Sequence, residues 1–185
     1  RLTMSVITPS FNQGDFIECT IKSVLGQSVS VQYLVMDGGS TDQTAEILHD
    51  DRQKNPKNLS YVMESDNGQA HAVNKGLMQA VGDIIGWINS DDYYLPGVFE
   101  MVLDFFEKNP EIDILYGDKI FVDKKNKPLN YYPVEKMKLS RLKQTCIMPQ
   151  PATFFRRKIV DPYGMLNESL NFCMDYEFWL RLALA

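Results

Sequence analysis

Polar residues able to hold a cation, a base or a reacting hydroxyl gather in this sequence directly after short apolar runs. Thr8-Pro9-Ser10-Phe11-Asn12 closes the run that starts at Met4, and Asp37-Gly38-Gly39-Ser40 follows VQYLVM. LSYVM leads to Asp66-Asn67-Gly68-Gln69, and IIGWI to Asn89-Ser90-Asp91-Asp92. The last cluster makes the sharpest chemical demand. Two unit charges ~4 Å apart repel by roughly 4 kcal/mol at an effective dielectric of about 20. Asp91 and Asp92 beside a diphosphate therefore call for Mg²⁺ or Mn²⁺, held by one or two carboxylates and by phosphate oxygens. Alternatively, either aspartate caps a helix beginning at Pro96. Asp37 suits a bond from a base imide or ribose hydroxyl, or a turn in which it accepts from its own backbone. Gly38-Gly39 lies in neither a GxGxxG nor a P-loop pattern. Asp175 and Glu177, in CMDYEFWLRL, are either first-turn acids that favour a helix dipole or a general base worth about a hundred- to ten-thousandfold in rate. His71 reads as an exposed or capped residue, and Tyr131 and Tyr132 as packing.

Regular elements must hold these clusters in place. The β-branched run TMSVITP predicts a strand, and Ile17, Ile21, Val24 and Leu25 predict a helix over about 15–26. VQYLVM is a second strand, and Ser40 with Gln43 forms a capping-box pattern ahead of the next helix. LSYVM is a third strand, before a helix carrying Ala70, Val73, Leu77 and Ala80 that Ser65 or Asp66 caps and that a left-handed Gly82 ends. DIIGWI is a fourth strand, and Phe99, Val102, Leu103 and Phe106 form the buried stripe of a helix from Pro96 to Lys108. Strand and helix in alternation predict an α/β fold with a parallel sheet covered on both faces. Ligands bind such sheets at the carboxyl ends of the strands, where all four polar clusters fall. Beyond Pro110 the pattern becomes mixed. Residues 113–123 and 127–133 read as a hairpin about the turn Lys124–Lys127, 137–146 as a short helix, 151–157 as a strand and 174–185 as a final helix.

A chain of 185 residues suits one domain. Its 44% hydrophobic and 23% charged residues are globular values, and no apolar run approaches the ~20 residues of a membrane span. The net charge of −5, with no evident basic stripe, argues against a nucleic-acid partner. Cys19, Cys146 and Cys173 are widely spaced and fit reduced thiols of a cytoplasmic protein. His49 and His71 are too far apart for a zinc motif. The sequence begins at Arg1 and stops within an apolar helical pattern, so it reads as part of something longer.

Six segments in this order, MSVITPSFNQGDFIECTIKSVLGQS, LVMDGGSTDQT, ESDNGQAHAVNKGL, GDIIGWINSDDYYLPG, QPATFFRR and MDYEFWLRLA, resemble the inverting glycosyltransferases of family 2. The resemblance covers nearly the whole chain. It implies the GT-A, or nucleotide-diphospho-sugar transferase, fold: a mostly parallel sheet flanked by helices, with a smaller mixed-strand region in the second half. Residues 1–110 of a single catalytic domain 1–185 would bind nucleotide, and 111–185 the acceptor. Thr8, Pro9 and Asn12 would line the nucleotide site, Asp37 would bond the base, and Asp66 would lie beside base or ribose. Asn89-Ser90-Asp91 takes the place of the family's Asp-x-Asp, so Asn89 and Asp91 would face ribose and donor, and Asp91 with Asp92 the metal-diphosphate. Asn89 replaces the first acid of that motif, which leaves open which aspartate is the principal ligand. Asp175 would be the catalytic base, with Met174 in place of the preceding Glu and Glu177 in reserve.

The resemblance further implies a nucleoside-diphosphate sugar donor, by default a UDP-sugar, and Mg²⁺ or Mn²⁺ as cofactor. It implies a glycan or lipid-linked acceptor and inversion at the anomeric carbon; a lipid-linked acceptor would place the protein peripherally at the inner face of the membrane. A sugar-phosphate nucleotidyltransferase would instead carry a Gly- and Arg-rich loop where TPSFNQGDF stands. A nucleotide-sugar-binding domain without turnover would account for Asn89 and Met174.

Overall fold

Apolar alternation sets the two layers of the molecule. The computed structural model describes residues 1–184. In it β1 (Met4–Ser10), β2 (Gln32–Asp37), β3 (Leu59–Met63) and β4 (Ile84–Trp87) run parallel. The later strands β5 (Ile114–Tyr116) and β8 (Thr153–Arg156) complete the sheet in the order β3-β2-β1-β4-β8-β5, with β8 antiparallel to both its neighbours. The sheet is thus mostly parallel, as expected, and takes strands from both halves of the sequence.

Successive strand residues point to opposite faces, and two cores result. Val6, Tyr33, Val35, Ile84 and Phe154 pack against α1 (Ile17–Leu25), α2 (Thr44–Lys54) and α4 (Val98–Lys108). Ile7, Leu34, Met36, Ile85 and Phe155 pack against α3 (Gln69–Gln79) and α7 (Met174–Leu184). The largest side chains among them, Trp87, Phe99, Phe106, Phe178 and Trp179, are almost wholly buried. Each such ring contributes about 2–3 kcal/mol of transfer free energy.

The extended run 113–123 divides at Gly117-Asp118. Its first part joins the sheet as β5. The second, β6 (Lys119–Val122), pairs with β7 (Pro128–Tyr132) in a separate two-stranded sheet. Asp123 shapes the turn by accepting from Lys125 and Lys127 amides at 2.8 and 2.9 Å. At the base, Asp118 accepts from the Val134 amide at 2.8 Å and from the Tyr131 hydroxyl, which holds its carboxyl below the usual range. Two short helices, α5 (Leu139–Leu142) and α6 (Val160–Tyr163), come later in the chain.

Four expectations need correction. Neither Ser65 nor Asp66 caps α3, which follows Gly68 with no side-chain cap bond. The capping box does not form: the Ser40 hydroxyl is drawn to Asp37, and Asp42 instead accepts from the Thr44 amide at 3.0 Å and the Gly14 amide at 2.9 Å. Gly82 is not left-handed. It is needed because a Cβ there would sit 2.4 Å from the Ser5 nitrogen and 2.5 Å from the Met4 carbonyl carbon. Gly82→Ala must push backbone against backbone, and we expect a loss of about 1–3 kcal/mol, the usual range for overpacking. Urea unfolding checks this; a variant as stable as the parent contradicts it. The charge is also uneven, contrary to the expectation of no basic stripe. From Lys119 to Lys143 eight Lys or Arg stand against two acids in a chain of net −5. Apolar residues separate these cations in sequence and hide the cluster.

Candidate active site

The acidic loop leaves the sheet where β4 ends. Ile88 still bonds the Ile7 carbonyl at 3.0 Å, then the chain turns as the Asp92 amide bonds the Asn89 carbonyl at 3.2 Å. Two buried side chains fix the turn. The Thr20 hydroxyl on α1 reaches the carbonyls of Ser90 and Asp92 at 3.0 and 2.6 Å. Gln150 donates to the Trp87 carbonyl at 2.5 Å. The Tyr94 amide in addition donates to the Ser23 hydroxyl at 3.1 Å. Neither aspartate caps α4, which starts well downstream after the left-handed Gly97. Asp91 is exposed and Asp92 half-buried. Burial, then the charge of Asp91, pushes the Asp92 carboxyl up to about 6, against the opposing effect of Lys119.

The neighbouring strand ends build a second rim. Asn12, at φ +52, donates its amide to the Ser40 hydroxyl at 2.8 Å and accepts from the Thr41 amide at 2.9 Å, so the loops after β1 and β2 are tied together. Asp37 is fully buried and accepts from the Gly39 amide at 3.0 Å, the Ser40 amide at 2.7 Å and the Ser40 hydroxyl at 2.6 Å. Its carboxylate therefore forms the turn itself, the local alternative weighed above. Asp66 is half-buried and accepts from the Gly68 amide at 2.8 Å. Its oxygens lie 3.0 and 3.3 Å from where a Cβ on Gly38 would sit, so glycine lets these two strand ends close up. Thr8 is buried with its hydroxyl 3.1 Å from that of Tyr33, and Pro9 is buried beside it. The Thr8 side chain is thus committed to the core and not offered to a ligand.

A cavity of about 1010 Å³ opens at the acidic loop, and Asn89, Asp91, Asp92 and Asp175 all line it. Helix α4 and the β6–β7 hairpin wall it. Asn12, Asp37 and Asp66 are not in its lining; they sit on the adjoining rim, joined to it where Gln69 donates to the Asn89 side chain at 2.6 Å. The two carboxylates of the last helix have different fates. Glu177 pairs with Arg181 at 2.8 and 3.0 Å, whereas among the described residues no hydrogen bond or ion pair claims Asp175. His71 accepts from the Asn67 amide at 3.0 Å. Tyr131 and Tyr132 are corrected from packing to exposed residues of the cavity wall, because β7 has no strand beyond it to cover them.

Three contributors escaped the sequence reading, Thr20, Gln150 and Lys119, while Gln69 stood in the third polar cluster without an assigned role. Thr20 was detectable as a hydroxyl within the apolar stripe of α1, whereas the others became visible only through tertiary contacts. The Lys119 ammonium sits 4.7 Å from the Phe121 ring and 5.1 Å from the Tyr132 ring. No group of three His, Cys, Asp or Glu suited to a metal occurs among the described residues. Asp91 and Asp92 alone fit a hard dication that takes its remaining oxygens from phosphate and water. The raised carboxyl of Asp92 marks a place where a cation would be welcome.

The family model described as Glycosyl transferase family 2 matches residues 5–164. An uncharacterized glycosyltransferase of Mycobacterium tuberculosis is 30% identical over 189 residues, covering 98% of this chain and 69% of that protein. Against several other curated glycosyltransferases the chain spans only 31% to 58% of their length. Among solved structures, S. aureus TarS 1–349 in complex with UDP-GlcNAc has a TM-score of 0.79 at 24% identity, covering 99% of this chain and 54% of that one. The mannosyltransferase PcManGT from Pyrobaculum calidifontis, in complex with GDP-Man and Mn²⁺, has a TM-score of 0.76 at 18% identity, covering 99% and 52%. At these identities the likeness carries the fold, GT-A, and not the substrate.

Proposed function

Because this chain belongs to glycosyl transferase family 2, we propose that it moves a sugar from a nucleoside-diphosphate sugar to a hydroxyl of a glycan or lipid-linked acceptor by one inverting displacement. One observation carries the proposal: Asp91, Asp92 and Asp175 converge on a single cavity, as a leaving diphosphate and an attacking hydroxyl require. The rim of Asn12, Gly38 and Asp66 offers backbone and polar groups to the nucleoside. Asp91 and Asp92 would hold Mg²⁺ or Mn²⁺, whose charge would offset that of the departing diphosphate. Asp175 takes the acceptor proton as its oxygen attacks the anomeric carbon. Residues 1–110 serve the donor and 111–185 the acceptor. Uracil is the leading base: the TarS complex with UDP-GlcNAc supports it, while the GDP-Man complex of PcManGT keeps guanine in view.

Thermal unfolding with UDP, GDP or dTDP, with and without Mn²⁺, tests the donor half. A ligand at a hundred times its Kd adds about 2.7 kcal/mol, which for a chain of this size raises Tm by roughly 5–10 °C. We expect that rise with one nucleotide and Mn²⁺ together, and its loss in EDTA. No response to any pair overturns the proposal.

A further inference from the structure

The β6–β7 hairpin and the stretch through α5 carry an unusual combination of groups for a surface in water. All five residues of β7 are exposed, and Ile120, Phe121, Leu129, Tyr131, Tyr132, Met137 and Leu139 are each at least 38% exposed. Around them stand the eight cations from Lys119 to Lys143. Among the described residues only Arg141 has an ion-pair partner, Glu135 at 3.3 Å. A two-stranded sheet with neither face covered is marginal in water by itself, so this one is suited to burying its side chains against something else.

We propose that this hairpin surface docks on an anionic lipid bilayer, with Leu129 and the neighbouring aromatic rings entering the interface and the lysines lying on the headgroups. Charge complementarity identifies the partner class. Juxtaposed lysines gain affinity for anionic leaflets, and tyrosines settle at the headgroup level. A soluble polyanion would satisfy the lysines but leave the apolar groups in water. A protein partner fits less well, because lysines are depleted from protein interfaces. The remainder of the chain is more acidic than its total of −5. An anionic bilayer repels it, and that repulsion turns the hairpin toward the lipid. The docking surface stands independently of sugar transfer, although the cavity wall it shares would bring a lipid-borne hydroxyl near Asp175.

Flotation with phosphatidylcholine vesicles, with and without about 30% phosphatidylglycerol, tests the proposal. We expect binding to the anionic vesicles alone, weakened by raising NaCl from about 50 to 500 mM as surface charges are screened. The triple variant Lys124→Glu, Lys125→Glu, Lys127→Glu should bind on the order of 100-fold more weakly, with Tm and the nucleotide response unchanged. If that variant does not fold, Lys136→Glu with Lys138→Glu, outside the hairpin, should show a smaller loss in the same direction. Trp87 and Trp179 are buried, so Leu129→Trp adds a surface fluorophore that brominated lipid should quench. Equal binding to both vesicle types, binding to neither, or indifference to charge reversal overturns the proposal. So does capture by heparin or RNA without quenching by lipid, or vesicle binding that a longer polypeptide containing this chain lacks. Failure of the nucleotide test would leave these outcomes untouched.

Discussion

Asp92→Asn is expected to raise the melting temperature of the ligand-free protein near pH 8 and, in the same molecule, to remove its response to nucleotide and Mn²⁺. The two effects share one cause. Asp92 is held half-buried beside Asp91, and its carboxyl is raised from 3.8 to about 6. A group whose folded value lies above its unfolded value binds its proton more tightly in the native state. Its destabilising effect is absent below about pH 4, grows between pH 4 and 6 and is complete above pH 6. The gap between the two values corresponds to at most roughly 3 kcal/mol, and solvent screening of a partly exposed carboxylate reduces that to about 1–2. The asparagine variant, which keeps the shape and loses the charge, should therefore melt roughly 2–8 °C higher at pH 8. At pH 4 it should match the parent. Melting curves across this range decide the matter: a difference that does not change with pH removes the electrostatic account. An asparagine variant still stabilised by nucleotide and Mn²⁺ removes Asp92 from the metal site.

The second large effect is expected at the last helix. Asp175→Asn should lower turnover by about 10²–10⁴-fold, the usual contribution of a positioned base, and leave stabilisation by nucleotide with Mn²⁺ intact. Release of nucleoside diphosphate from the donor sugar provides the rate, and the melting shift reports binding. Glu177→Gln is the matched control. Glu177 holds Arg181, which also donates to the carbonyls of Tyr163 and Met165, so that change should reduce stability more than rate. Unaltered turnover in Asp175→Asn, or a larger rate loss in Glu177→Gln, would reassign the base.

The strands and helices of the first half were legible because apolar periodicity is strong there. IIGWI is buried along β4, and Phe99, Val102, Leu103 and Phe106 form the buried stripe of α4 as predicted. Helix starts were misplaced where short polar side chains had competing partners. Ser40 had the spacing of a cap, but the Asp37 carboxylate two strand ends away from the Asn89 loop captured its hydroxyl, a choice that local sequence does not encode. The convergence of Asp91, Asp92 and Asp175 follows from strand-end logic for the first two. For Asp175 it depends on α7 packing beneath the sheet through Phe178 and Trp179, and only the family resemblance pointed to it. The role of Gly82 was misread because a turn glycine and a close-approach glycine look alike in sequence. The hairpin was anticipated as a shape, but its two open faces were not, since exposure depends on which strands are absent beside it.

Thr20 gives helix α1 a mechanical consequence. The helix begins immediately after the loop that carries Asn12, and three residues further on its hydroxyl grips the backbone of Ser90 and Asp92. The first turn of one helix thus ties the loop of Asn12 to the backbone of the acidic pair. If the two loops hold the two halves of the proposed donor, any coupling between those ligands must be equal in both directions.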